Sequence, residues 1–230
     1  MDRFHDRREA GILLARALSR FAGRNDVTVL GLPRGGVPVA YEVATALDAP
    51  LDVLVVRKIG VPGHEELAMG AIASGGIQVI DPRMAEQLGS SPRKMRELIE
   101  IERVELERRE RAFRGDREHA DLSGRTVILV DDGLATGSSM YAAVAAVSTR
   151  KPAQIVVAVP VGSPEVCRAF RTHVDDVVCL RMPEPMYAVG LWYEDFSQTP
   201  DGEVRTLLDR AAERRAASAT RHAPQPLQPH

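Results

Sequence analysis

Two hydrophobic patterns alternate along this chain. Short, mainly apolar stretches rich in β-branched residues predict strands at 27–32, 52–57, 126–130, 154–161 and 174–180. Between them lie stretches whose apolar residues recur at intervals of three and four. The first, 8–22, carries Ile12, Leu13, Ala17, Leu18 and Phe21 at helical spacing, and similar patterns cover 37–47, 138–149, 164–171 and 202–218. Continuous apolar strands separated by helices mark a sheet buried on both faces. The predicted class is therefore α/β: an open, mainly parallel twisted sheet flanked by helices. Residues 68–81 read as a short hairpin turning at Gly75 and Gly76.

Residues 92–118 break the pattern. They predict a long helix crowded with Arg and Glu, with a thin apolar stripe containing Met95, Leu98, Ile99 and Ile101. Such a helix is held in solvent by Glu–Arg pairs three or four apart; it could also belong to a mobile flap or an oligomer contact. No internal repeat is visible. Residues 1–218 are expected to form one domain, followed by a Pro-rich disordered tail at 219–230.

Composition narrows the class of function. The 230 residues are 44% hydrophobic, enough for a substantial core, and carry a formal net charge of −2. That balance argues against a dedicated nucleic-acid binder or a polybasic membrane binder. The basic residues are 27 Arg and three Lys (Lys58, Lys94 and Lys151), a skew expected of a GC-rich genome. Cys167 and Cys179 lack metal-ligand or CxxC spacing and sit in apolar stretches, so free buried thiols are expected. No apolar run reaches the roughly 18 residues of a membrane span, and the charged N-terminus lacks the apolar segment of a secretory signal. A soluble, cytoplasmic protein is expected.

The most informative segment is 126–139. Its apolar strand runs straight into Asp131 and Asp132, and then through Gly133, Leu134, Ala135, Thr136, Gly137, Ser138 and Ser139 into a helix. Open parallel sheets bind ligands beyond the carboxyl ends of their strands. Two adjacent carboxylates there can reach a polyol or a hydrated cation. The small residues that follow offer backbone N–H groups at a helix N-terminus together with three hydroxyls, a site for phosphate. A polyol reader beside a phosphate cradle describes a site for a ribose 5-phosphate.

Residues 127–139 resemble the 13-residue phosphoribosyl-pyrophosphate signature of type I phosphoribosyltransferases. The segments 31–38, 55–58 and 66–70 are similar to a bacterial branch of uncharacterised members of that family. The resemblance implies the family fold, with a flexible loop or flap over 60–118 and a small C-terminal hood over 182–200. It implies that Asp131 and Asp132 hold the ribose 2- and 3-hydroxyls, and that Ala135, Thr136, Gly137, Ser138 and Ser139 wrap the 5-phosphate. Arg34, Gly35 and Gly36 occupy the place of the family's pyrophosphate loop, in which a non-proline cis peptide next to Arg34 is expected. Lys58, beside Arg57 at the end of the second strand, is the other candidate for the pyrophosphate. Glycines 60, 63 and 70 could act as hinges for loop closure. The implied reaction is Mg²⁺-dependent phosphoribosyl transfer to a nitrogenous acceptor with release of pyrophosphate. Arg34, Lys58, Asp131 and Asp132 would be its catalytic group, and the two acids would meet the metal indirectly, through ribose hydroxyls or water.

Hypoxanthine-guanine enzymes place a carboxylate where this chain has Ala135, and the pattern here is closer to adenine-type enzymes. Glu65 or Glu66 could serve as a general base, unless none is required; Glu65 stands where this branch would be expected to have proline. Trp192, Tyr193 and Phe196, three of only ten aromatic residues, cluster in the hood. Trp192, Tyr193 and Phe196 are candidates to stack on a planar acceptor and Asp195 to read an exocyclic group; Tyr187 is a weaker candidate. A homodimer fits the family's habits. The alternative is a non-catalytic, regulatory phosphoribosyl-pyrophosphate-binding protein. Phosphatase-like aspartyl chemistry lacks its Asp-x-Asp order, dinucleotide binding lacks GxGxxG, and an NTPase lacks its Gly-rich Lys loop. Glutamine-dependent amide transfer lacks an N-terminal cysteine nucleophile.

Overall fold

The computed structural model describes residues 3–61, 64–80, 92–115 and 117–221. Its centre is a five-stranded parallel sheet. The strands are β1 (Val27–Gly31), β2 (Leu51–Val53), β6 (Thr126–Val130), β7 (Gln154–Val161) and β8 (Asp176–Arg181), in the order β2-β1-β6-β7-β8. β6 is fully buried because side chains alternate across the sheet and both faces are covered. Ile128 and Val130 face one layer with Leu14, Val39, Val43 and Leu47 of helices α1 (Arg7–Ala17) and α2 (Gly36–Leu47). Val127 and Leu129 face the other, with Met140, Val144 and Val147 of α4 (Ser138–Ser148) and Phe170 of α5 (Pro164–Phe170).

The expected strand over 52–57 is in fact two elements. β2 ends at Val53, whose neighbour Leu54 donates its N–H to the Gly31 carbonyl at 3.1 Å. The chain then leaves the parallel sheet and starts β3 (Val56–Val61), which pairs antiparallel with β4 (His64–Ala73), which pairs in turn with β5 (Ile77–Ile80). The hairpin turning at Gly75 and Gly76 is present, and the β3–β4 hairpin preceding it had no clear sequence signal. Arg57 and Lys58 therefore belong to this second sheet and do not end a strand of the first. Gly60 and Gly70 lie within its paired strands, Gly60 at a register shift, and Gly63 is outside the described residues.

Helix α3 (Pro92–Arg114) covers one side of that small sheet, with Met95, Leu106 and Phe113 buried against Val55, Ile59 and Ile72. Ile101, expected in its apolar stripe, is 64% exposed, because at 100° per residue it falls well off the face carrying Met95, Leu106 and Phe113. The outward face carries the expected ladder: Arg103 pairs with Glu100 and Glu107, and Glu105 with Arg108 and Arg109. Two internal ion pairs anchor the helix. Arg57 meets Glu102 at 2.6 Å, and the buried Arg114 meets Asp52 at 2.8 Å while donating to the Val53 carbonyl. The last helix, α6 (Asp201–Arg221), adds Val204 and Leu208 to the same cluster. Cys167 and Cys179 are free thiols. The tail beyond residue 221 lies outside the described residues, and no described helix is long and apolar enough to cross a membrane.

Candidate active site

From β1 the chain steps outward to β2, and later returns to lay β6 on the opposite side of β1. The loops after β1 and β6 therefore diverge from adjacent strand ends, and such a switch point opens a crevice for ligand. Leu32 continues the ladder by donating to the Val130 carbonyl at 2.9 Å, so the two loops leave the sheet side by side. The peptide between Pro33 and Arg34 is cis, as expected beside Arg34.

The loops touch so closely that side chains are excluded. A methyl group at Gly36 would lie 2.7 Å from the Val130 carbonyl oxygen, and one at Gly35 would lie 1.9 Å from Asp132 Oδ2. Glycine at both positions lets the 33–36 backbone reach the acidic pair. Arg34 is exposed and makes a loose ion pair with Asp201 at the start of α6, 3.6 Å away.

Asp131 accepts a hydrogen bond from the Asp132 backbone N–H at 2.8 Å. Burial, and then the charge of Asp132, push the Asp131 carboxyl well above the ordinary carboxylate range. Burial also raises Asp132, and Arg7 opposes that shift. Two acids are thus held together in a partly desolvated crevice that favours neutralisation by a bound partner.

Beyond them, α4 begins at Gly137, whose φ of +74° is a left-handed conformation suited to glycine. Gly137 supplies no side-chain cap, and the Ser138 N–H makes only a long 3.5 Å hydrogen bond to Thr136 Oγ1, so this helix start can offer N–H groups to an anion. Thr136 and Ser138 place their hydroxyl oxygens 3.2 Å apart, and Ala135, Thr136 and Ser139 are exposed. Leu134 closes the loop from beneath: its N–H donates to the Val161 carbonyl and its own carbonyl accepts from Ser163.

Lys58 is exposed on β3. Strand alternation puts it on the face opposite Arg57, which is committed to Glu102. The side chains of Glu65 and Glu66 lie outside the described residues.

Residues 182–200, the expected hood, pack against a segment that sequence reasoning missed. Phe4 pairs in parallel with Tyr193, donating its N–H to Trp192, while its carbonyl accepts from Glu194. The N-terminal segment and residues 192–195 therefore form one layer, with Phe4, Ala10, Val161 and Tyr193 buried together. Val189 presses on the acidic loop, where a methyl group at Gly133 would meet it at 2.4 Å. Tyr193 is only 2% exposed and donates its hydroxyl to the Asp132 carbonyl at 2.7 Å. Its ring is thus built into the hood, with no open face for stacking. Trp192 is half-buried, and Tyr187 is fully displayed to solvent. Asp195 is exposed and accepts from the Ser197 N–H.

Arg7 is the second omission. Asp6 caps α1 by accepting from the Glu9 N–H at 2.7 Å, which sets Arg7 as the first helical residue. Its Nε donates to Asp132 Oδ2 at 2.8 Å, its Nη1 donates to the Ser197 carbonyl at 2.7 Å, and its guanidinium lies 4.0 Å from the Phe196 ring centre. One arginine among 27 gave no signal in the sequence. An Asp-x-x-Glu cap immediately around it was the only local hint.

The geometry can bind a vicinal diol and a phosphate on adjacent loops, and comparison with known proteins places it in a family. The family model described as phosphoribosyl transferase domain matches residues 2–188. A Mycobacterium tuberculosis protein, Rv0571c, which carries a provisional phosphoribosyl transferase name, is 44% identical over 211 residues, 92% of this chain and 47% of its own length. The chain thus spans about half the length of the curated relatives it matches. The crystal structure of TT1426 from Thermus thermophilus is 44% identical and superposes with a TM-score of 0.81 over 90% of this chain and 97% of that one. The AQ2163 protein of Aquifex aeolicus shares the fold at 12% identity, with a TM-score of 0.50 over 80% of this chain and 78% of its own. With its acidic pair, the helix start at Gly137 and the loop of glycines all falling inside the matched span, the chain belongs to the phosphoribosyl transferase domain family.

Proposed function

We propose that this chain transfers the 5-phosphoribosyl group of phosphoribosyl pyrophosphate to a nitrogenous acceptor, releasing pyrophosphate. The observation that carries the reading is the contact between the two loops. Asp132 and Gly35 are so close that a diol on the acids and a phosphate on the 33–36 backbone would belong to one ligand.

In this reading Asp131 and Asp132 accept hydrogen bonds from the ribose 2- and 3-hydroxyls. The N–H groups and hydroxyls of Ala135, Thr136, Gly137, Ser138 and Ser139 hold the 5-phosphate at the α4 N-terminus. Arg34, Gly35, Gly36 and Lys58 face the pyrophosphate. The bond from C1 to the pyrophosphate oxygen breaks with its electron pair leaving on pyrophosphate, and the acceptor nitrogen forms the new bond to C1 while its N–H proton passes to solvent. The positive charge that develops on the sugar faces two carboxylates, and the negative charge on the leaving group faces Arg34 and Lys58. Trp192, Tyr193 and Asp195 belong to the acceptor side, Tyr193 as the bolt that fixes the hood and Trp192 as the contacting surface.

The donor set suits Mg²⁺. Hard carboxylate oxygens meet a ligand rich in hydroxyl and phosphate oxygens, and no described cluster of three or more His, Cys, Asp or Glu would hold the ion by protein alone. Asp131 and Asp132 would hold it indirectly, through ribose hydroxyls or water. When bound, the ion neutralises the charge of the leaving pyrophosphate.

The test is pyrophosphate release from phosphoribosyl pyrophosphate with Mg²⁺ across a panel of nucleobases and other nitrogenous acceptors. Turnover with any acceptor, abolished in an Asp131→Asn/Asp132→Asn variant, is the expected result. Tight binding without turnover for every acceptor would assign a regulatory role instead. Absence of binding would overturn the reading.

A further inference from the structure

Asp132 is the point where three separate parts of the chain converge. Its carboxylate receives Arg7 from the N-terminal helix, its carbonyl receives Tyr193 from the hood, and its Oδ2 abuts the Gly35 backbone. Arg7 also reaches the hood, through the Ser197 carbonyl and the Phe196 face. The Arg7 and Asp132 side chains are 12% and 15% exposed, so this is a largely desolvated pair and no surface ornament.

We propose that Arg7 is a positioning residue, which orients the Asp132 carboxylate for the ribose and ties the acceptor hood to that same carboxylate. The proposal rests on the reading of 131–139 as the phosphoribosyl-pyrophosphate site. Three features of the contact support it. First, Arg7 approaches with Nε alone and meets Oδ2, which leaves Oδ1 for a sugar hydroxyl. Second, the same guanidinium that holds the acid donates to Ser197, so a shift of the hood moves the acid through one rigid planar group. Third, a methyl group at Gly35 would stand 3.1 Å from Arg7 Nε, so the pyrophosphate loop borders the same contact. A group placed only to neutralise Asp132 would need none of these further contacts. The Phe196 ring, with its centre 4.0 Å from the guanidinium, fixes the plane of the fork as well.

The experiment is calorimetric binding of phosphoribosyl pyrophosphate with Mg²⁺ to the wild type and to Arg7→Met, Arg7→Lys, Asp132→Asn and the Arg7→Met/Asp132→Asn pair. Loss of a hydrogen bond to a charged group predicts binding weakened about tenfold or more in Arg7→Met. Arg7→Lys, which restores a donor to Asp132 but not the planar fork that also reaches Ser197, should recover only part of that loss. Arg7→Met should add less than about twofold in the Asp132→Asn background, because it acts through Asp132. Unchanged or tighter binding by Arg7→Met, or independent effects in the pair, would overturn the proposal; tighter binding would make Arg7 a latch that the sugar must displace. Should Arg7→Met fail to fold, a wild-type crystal structure with ribose 5-phosphate decides the matter. The Arg7–Asp132 contact is expected to persist beside the bound sugar, and a displaced Arg7 overturns the proposal. Failure of the wild type to bind phosphoribosyl pyrophosphate would instead remove the proposed function on which this inference rests.

Discussion

Tyr193 donates its hydroxyl hydrogen to the backbone carbonyl of Asp132 at 2.7 Å, and so joins the hood to the acidic loop across 61 residues of sequence. Burial pushes the Tyr193 hydroxyl above its ordinary range, with the charge of Asp132 adding to the shift, so the group remains a donor at any pH at which the protein works. Tyr193→Phe leaves a buried carbonyl without this partner and should cost about 1–2 kcal/mol of stability in a denaturant titration. It should also weaken phosphoribosyl-pyrophosphate binding severalfold. Equal stability and binding would show that the hood rests on the loop without holding it.

Gly35 has no room for a side chain, since a methyl group there would meet Asp132 Oδ2 at 1.9 Å. Gly35→Ala must therefore displace the Asp132 carboxylate, and the Arg7 Nε beside it, from the crevice. A fall of about 100-fold in kcat/KM is expected, similar to the loss of one preorganised charge-stabilising contact. Circular dichroism should be unchanged, because the clash is confined to loops beyond the sheet.

The raised Asp131 carboxyl gives the ligand-free protein a pH dependence of definite sign. A carboxyl whose folded pKa lies above its unfolded value binds more protons in the folded state. Its contribution is therefore fully present below the unfolded value of about 3.9 and is lost as pH rises through the folded one. Asp131→Asn should then raise the melting temperature at pH 7 to 8, by on the order of 1 kcal/mol in stability, while abolishing phosphoribosyl-pyrophosphate binding. The gain should shrink as the pH is lowered toward 4. A variant less stable than wild type at pH 8 would contradict this account.

Arg114 and Asp52 tie the long charged helix to the edge of the parallel sheet through a buried pair 2.8 Å apart. Arg114→Met strands the carboxylate and should cost about 3–5 kcal/mol. Asp52 would keep its hydrogen bond from the Ala120 N–H, so the larger loss is the compensating charge. Adding Asp52→Leu should recover much of the stability, as expected when both members of a buried pair are removed. By contrast, the exposed Arg103–Glu107 pair on the same helix should contribute under about 1 kcal/mol.

Local chemistry made part of this molecule readable in advance. Residues 126–139 carry strand, acids, turn and helix start in one unbroken stretch, so the order of these parts is readable from neighbouring residues: the apolar run makes β6, and the small residues release the chain into α4. The same locality made the Gly35–Gly36 turn and the Glu–Arg ladder of α3 legible. Neighbours could not reveal where β2 would stop. Residues 53–56 form one apolar run, and only the pairing of Leu54 with Gly31, and then of Val56 with Ala73, divides it between two sheets. The exposure of Ile101 likewise depends on which face of α3 meets the small sheet.

The amino-acid order by itself determined a parallel α/β sheet, with two carboxylates and an open helix N-terminus beyond its central strand. Tertiary structure decided what surrounds those carboxylates. Arg7 is 125 residues from Asp132 in sequence, and Phe4 forms one layer with Tyr193 from the far end of the chain. Such pairings leave no periodicity, because they arise when folding packs both ends of the chain against the same strand ends. Burial then brings Arg7 and Tyr193 onto Asp132.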